Sequence, residues 1–369
     1  MTSRPATPTE TPTTALIDDL VELGARHDAA PTFPHASLRL LVGAGLHRRF
    51  APPATGGDAW PDPRARHDAM RDALRLVGRA DLSLGRLYEG HVNALTLFGW
   101  YATAAQLSWL AHELDRGAWF GVWATEAPPG VALASKPEPH LTGAKTFASG
   151  AGGLGFAIVT AAPEAGERRL VVVPADDTAR TDASRWRVRG MRASVSGRYE
   201  LTGLPISPDM LLGAPGDYDR EPRFTAGAWR FCAVQLGGIE ALLTETRAAM
   251  NAAARADPIQ RARFADAVAA TRTAGFWVRE AADRAADEHI DAIEIARMAR
   301  GVVERSGLDV MEAAARIVGT RSAFDGERID KIVRDLSLYL RQGGPDYARD
   351  QAAQAWLDHD CWPEDDRLW

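Results

Sequence analysis

The chain has 369 residues, enough for two or three domains with sizeable cores. Hydrophobic residues make up 46% and charged residues 25%, which excludes wholesale disorder. A net charge of −6, with lysines only at 136, 145 and 331, leaves no basic footprint for nucleic acid.

The opening MTSRPATPTETPTT, residues 1–14, lacks an apolar signal core and reads as a disordered tail. Residues 15–118 are mostly helical. Leu16, Leu20 and Leu23 share one helical face, and FPHASLRLLVGAGLHRR predicts a helix from Pro34 to Gly45. APPATGGDAWPDP is a loop by its Pro and Gly content. RHDAMRDALRLVGRA, DLSLGRLYEGHVNALTLFGWYA and AAQLSWLAHELDRG predict three more helices, the last stopping at Gly117.

Near Trp119 the period becomes strand-like. WFGVWAT, AKTFAS, FAIVTAA, RRLVVVPA, WRVRG and GRYELTGLPIS predict a small antiparallel β-domain over 119–225. From 226 to the end the chain is helical again. Helices are expected at about 226–254, 258–286, 288–305 and 307–318, with another from 327. Two stripes mark buried faces, Cys232/Leu236/Ile239/Leu243 and Leu308/Met311/Ala315/Val318.

Cys232 and Cys361 are too few for a disulfide framework, and no spacing suits a metal. No window approaches a membrane span, so a cytoplasmic location is the default expectation.

Helices, then a small β-domain, then a helical bundle is an order that resembles the acyl-CoA dehydrogenase superfamily. The fold class expected is therefore α+β. Local matches carry the resemblance: Trp123-Ala124-Thr125-Glu126, Phe147-Ala148-Ser149, the Gly190–Ser194 turn, and VGTRSAFDGERIDKIVRDLSLYL. It implies a flavin, expected as FAD, with Trp123, Ala124 and Thr125 at its pyrimidine side and Phe147 and Ser149 flanking the ring. A flavin ring wants an aromatic or apolar wall and donors that stabilise charge on reduction. Without the resemblance, Thr125 and Ser149 read as ordinary strand-end residues. Arg316 and Gly319 match the superfamily's phosphate-side turn imperfectly. Arg86, Glu89 and Asn93 lie on the helix that lines the acyl pocket in relatives; Arg86 and Glu89 either pair with each other or face a polar substrate. His91, beside them, is more simply structural.

The superfamily's carboxylate base is missing from its usual places. Counting on from Arg334-Asp335, Gly343 falls at the first place; Gly227 or Ala228 falls at the second. Asp346 is the nearest acid to the first, and it reads more simply as a helix cap.

The resemblance implies a flavin-dependent oxidoreductase acting by hydride transfer. Its substrate is expected to be a CoA or carrier-protein thioester or a related small molecule, with a separate electron acceptor. A homodimer or homotetramer is expected. One alternative is a flavin monooxygenase of the same fold, which needs no such base. The other is a non-catalytic binding or assembly protein.

Overall fold

A computed structural model describes residues 14–126, 128–136 and 138–358. Residues 1–13 of the expected tail and Cys361 lie outside them; Thr14 already begins the first helix. The helices before the sheet are α1 (Thr14–Ala29), α2 (His35–Gly43), α3 (Pro63–Ala80), α4 (Leu82–Tyr101) and α5 (Ala104–Asp115). The strands are β1 (Phe120–Trp123), β2 (Ala132–Ala134), β3 (His140–Thr142), β4 (Ala144–Ala148), β5 (Phe156–Pro163), β6 (Arg169–Pro174), β7 (Thr181–Asp182), β8 (Gly197–Glu200), β9 (Leu204–Pro205) and β10 (Leu211–Leu212). Then follow α6 (Arg223–Ala226), α7 (Trp229–Ala249), α8 (Ala252–Ala256), α9 (Pro258–Ala286), α10 (Ala292–Val318), α11 (Arg328–Tyr339) and α12 (Pro345–Asp358). The chain forms two compact units: residues up to 61 with 80–220, and residues 62–79 with 221 onward.

In the first unit α4 is apolar on every side and is accordingly buried along most of its length. Asp81 caps it, its carboxylate accepting from the Leu84 N–H at 2.7 Å. Thr103 and Gln106 form a reciprocal capping box at the start of α5. Leu95 and Phe98 of α4, Leu110 and Leu114 of α5, and Phe120, Ile158 and Leu170 of the sheet share one core.

The larger sheet runs β10-β6-β5-β2-β3-β9, with β1 also on β5. It is mixed, where the sequence suggested antiparallel pairing throughout. β1 and β2 both pair with β5 in parallel, β1 opposite Phe156–Val159 and β2 opposite Ala162 and Pro163. Parallel pairing needs a crossover, and the β2–β4 segment separates β1 from β5. Thr160 and Ala161 lie between the two pairings. A smaller antiparallel sheet runs β4-β8-β7. WRVRG is not a strand: Trp186 anchors a loop by donating its indole N–H to Met191 O at 2.9 Å.

The second unit holds α3 and the helices from α6 onward. α3 and α7 meet at two glycines. A Cβ on Gly78 would lie 2.2 Å from Val234 O, and one on Gly237 would lie 2.1 Å from Arg75 O. The helices expected at 288–305 and 307–318 are one helix, α10. Gly307 does not break it; the Leu340 side chain packs where a Cβ would be, 2.6 Å away. The buried face of α10 is Val303, Gly307, Val310 and Ala314, while Ala315 of the expected stripe is exposed. Among the described residues no helix is long and apolar enough to cross a membrane, and no His/Cys/Asp/Glu group could hold a metal.

Candidate functional site

The sequence-predicted residues of the first unit gather where β1 ends beside β4. The Thr146 N–H donates to Thr125 O at 3.0 Å, and the Trp123 indole donates to Ser149 O at 3.0 Å. Trp123 is therefore a core residue, packed 5.1 Å from the Tyr199 ring. Ala124 is half-buried and Thr125 exposed.

Phe147 is the exposed feature of this region. It is 63% exposed, at a φ of 53°, with its ring edge-on to Trp186 at 6.3 Å. A left-handed backbone at a bulky residue is costly, and such strain concentrates at ligand-binding sites. Two more non-glycine residues adopt it in the adjoining loop, Met191 at 56° and Val195 at 42°. That loop delivers Ser194 and Ser196. The Ser196 hydroxyl donates to Ser149 Oγ at 2.9 Å and shares a 2.8 Å bond with Ser194 Oγ. Ser194 Oγ also lies 2.8 Å from Met191 O. Because Ser149 Oγ accepts here, its own hydroxyl proton is left as the terminal donor of the chain.

Lys145 lies beneath this surface, fully buried. Its ammonium donates to Glu126 and, at 2.9 Å, to Thr160 Oγ1. It thus fills the place on β5 between the β1 and β2 pairings. Burial pushes its pKa down, and Glu126 opposes that shift. The pair ties the Thr125–Glu126 turn to β4.

On α4, Glu89 is buried and receives hydrogen bonds from both Arg86 and Asn93. The three residues satisfy one another, the pairing alternative of the sequence reading. Arg86 also lines a narrow crevice with Gly90, Gly121, Trp123 and Ser149, which brings it to the same place as the β1–β4 residues. His91 is structural. Its Nδ1 accepts the Phe120 N–H at 3.1 Å, so Nε2 carries the proton donated to His47 O at 2.7 Å. It stacks on His47 at 4.9 Å, and burial holds both pKa values below the usual histidine range.

The remaining predicted residues belong to the second unit. Arg316 sits in the last turn of α10, paired with Glu312 at 2.7 Å. Gly319 follows it at a φ of 70° with open space around it. Asp346 is in the first turn of α12, exposed and paired with Arg349 at 2.5 Å. No carboxylate occupies 343, 227 or 228.

The sequence reading missed Lys145, Thr160, Ser194, Ser196 and Trp186. One signal was available: a lysine inside a strand pattern of a chain that otherwise takes its positive charge almost wholly from arginine. The serine chain had none, since its members lie far apart in sequence.

No family model matches this sequence, and no curated protein matches it by sequence. Solved structures do. FMN-bound TdsC from Paenibacillus sp. A11-2, a dibenzothiophene monooxygenase, superposes with a TM-score of 0.82 at 20% identity, covering 94% of this chain and 96% of that one. Methanesulfinate monooxygenase MsuC from Pseudomonas fluorescens gives 0.81 at 18%, covering 95% and 96%. A nitrososynthase from Micromonospora carbonacea var. africana gives 0.79 at 19%, covering 94% and 98%. The chain has the acyl-CoA dehydrogenase fold. At these identities the likeness is one of fold. Within the acyl-CoA dehydrogenase fold, the mixed sheet and the β1–β4 corner are the parts that carry the predicted flavin-side residues.

Proposed function

We propose that this protein is a flavin-dependent monooxygenase of the acyl-CoA dehydrogenase fold, working on a small molecule with reduced flavin and O2. The observation that carries the reading is the Thr125–Phe147–Ser149 arrangement. An aromatic ring is held exposed by a strained backbone, beside a hydroxyl whose proton is the open end of a buried serine chain. These residues fit a flavin: Phe147 offers a wall, Ser149 a donor, and the Lys145–Glu126 pair fixes the turn that presents Thr125. Bound reduced flavin would supply, with O2, the oxygen atom transferred to substrate.

Three further points favour oxygenation over thioester dehydrogenation. Dehydrogenation needs a carboxylate at the substrate's α-carbon. The expected places hold glycine or alanine, and Asp346 is engaged with Arg349. TdsC and MsuC, which share the fold, are monooxygenases, and TdsC was solved with FMN. FMN is accordingly the proposed flavin, in place of the FAD expected from sequence.

The test is a titration of purified protein with FMN and FAD, followed by stopped-flow mixing of the reduced complex with O2. Stoichiometric flavin binding and an oxygen reaction distinct from that of free reduced flavin are expected. Tight FAD binding with reduction by an acyl thioester would favour the dehydrogenase instead. Failure to bind either flavin, oxidised or reduced, would leave the non-catalytic reading.

A further inference from the structure

Arg300, in the middle of α10, is 1% exposed and has no carboxylate partner among the described residues. Its Nη2 donates to Leu340 O at 2.7 Å, while Nε and Nη1 have no hydrogen-bond partner. The guanidinium sits 5.3 Å from the Phe231 ring centroid. From α7, Gln235 Nε2 donates to the preceding carbonyl, Tyr339 O, at 2.7 Å, leaving Gln235 Oε1 unpaired. Arg300 and Gln235 thus cap the end of α11 and still hold polar atoms in reserve. A buried charge without a counter-charge is destabilising in any protein. Desolvation lowers the pKa of Arg300, and the one carboxylate that offsets this electrostatically is Glu304, which does not bond it.

Gly343, in the Gly343–Gly344 turn, lies beside the guanidinium. Both glycines are exposed and left-handed, at φ of 73° and 59°. A Cβ built on Gly343 would stand 3.4 Å from Arg300 Nε and 3.3 Å from Phe231. The helix α12, of 14 residues, starts at the next residue, so its N-terminal end adds positive potential at the same point. The acid in its first turn, Asp346, is held by Arg349.

We propose that Arg300 anchors a binding site for a small oxyanion, closed over by the Gly343–Gly344 turn. A carboxylate, sulfonate or phosphate group entering there supplies the missing counter-charge. The two glycines admit it, since they carry no side chain and tolerate backbone angles that other residues resist. The inference rests on the geometry of the second unit and assumes no bound flavin, although Gly343 is also the place where the resemblance puts the superfamily's base.

The experiment is thermal unfolding of the flavin-free protein with millimolar acetate, methanesulfonate or inorganic phosphate, each against sodium chloride at matched ionic strength. At least one anion is expected to raise the melting temperature by about 3 °C. The anion that does so identifies the group. Arg300→Met should abolish the response. Gly343→Asp, which sets a tethered carboxylate at the same place and which the left-handed backbone tolerates, should abolish it too while raising the melting temperature without anion. If Arg300→Met fails to fold, Gly343→Asp alone decides. No anion exceeding the chloride control, or an anion effect that survives in Gly343→Asp, overturns the proposal. The result leaves the flavin titration untouched, so the two readings fail separately.

Discussion

The corner around Ser149 and the turn around Gly343 handle buried polarity in opposite ways. At the first, ammonium, carboxylate and hydroxyl groups meet one another: Lys145 with Glu126 and Thr160, Glu89 with Arg86 and Asn93, Ser196 with Ser149 and Ser194. At the second, Arg300 keeps two donors without partners. A closed network is rigid before its ligand arrives and gives orientation at little cost in reorganisation. An open one is paid in stability until something binds. The first is suited to holding a ring in place; the second is suited to recognising charge.

The largest way to break that contrast is Lys145→Met. It leaves Glu126 without its cation, and a loss of about 3 kcal/mol is expected in chemical denaturation, with flavin binding lost as well. If stability is unchanged, the Lys145–Glu126 pair is not what holds the β1–β4 corner.

Acid tests the histidines packed inside both units, buried in the first and part-buried in the second. In the second, burial lowers His67 to about 4, although its hydrogen bond to Ala282 O works the other way, and Arg230 and Arg66 lower it further. The unfolded chain protonates histidine near 6.5, so between about 6.5 and 4 it takes up a proton the native state refuses. Stability should be level above that window and fall by about 3 kcal/mol across it. His91 and His47 in the first unit shift in the same direction. Urea denaturation as a function of pH, compared between the parent and His67→Gln, should flatten the part owed to His67.

Ser196→Ala removes the donor to Ser149 and is expected to cost about 1 kcal/mol. It should also weaken flavin binding, read by fluorescence quenching. Phe147→Gly has the smallest effect on folding. It relieves the left-handed strain, so stability should stay within about 1 kcal/mol of the parent, on the stabilising side. Flavin binding should nevertheless fall. A variant that loses stability and binding together would mean that Phe147 packs a core and is no wall.

The helices of this chain were legible because their apolar residues recur with helical period, as in α3 and α7, or run apolar over a long stretch, as in α4. The reading of α10 split one helix in two at 305–307, where Gly307 is a packing contact for Leu340. The short strands β2, β3 and β10 carry too few residues for any period to register. In the site, Thr125, Phe147 and Ser149 were legible through a resemblance, since they sit in short contiguous runs. Lys145, Ser194, Ser196 and Arg300 were not. Their significance lies in what they meet, or fail to meet, across the fold, and pattern along a sequence holds no record of that.

The membership of α3 has a consequence for how the protein is made. This helix leaves the ribosome long before α7, yet it belongs to the same compact unit, where Gly78 and Gly237 bring the two backbones together. During synthesis α3 must wait, its apolar side uncovered, while the whole β-sheet region is translated. The nascent chain therefore carries a stretch that chaperones can grip. A gene fragment beginning at Glu221 would encode a bundle lacking one of its own helices.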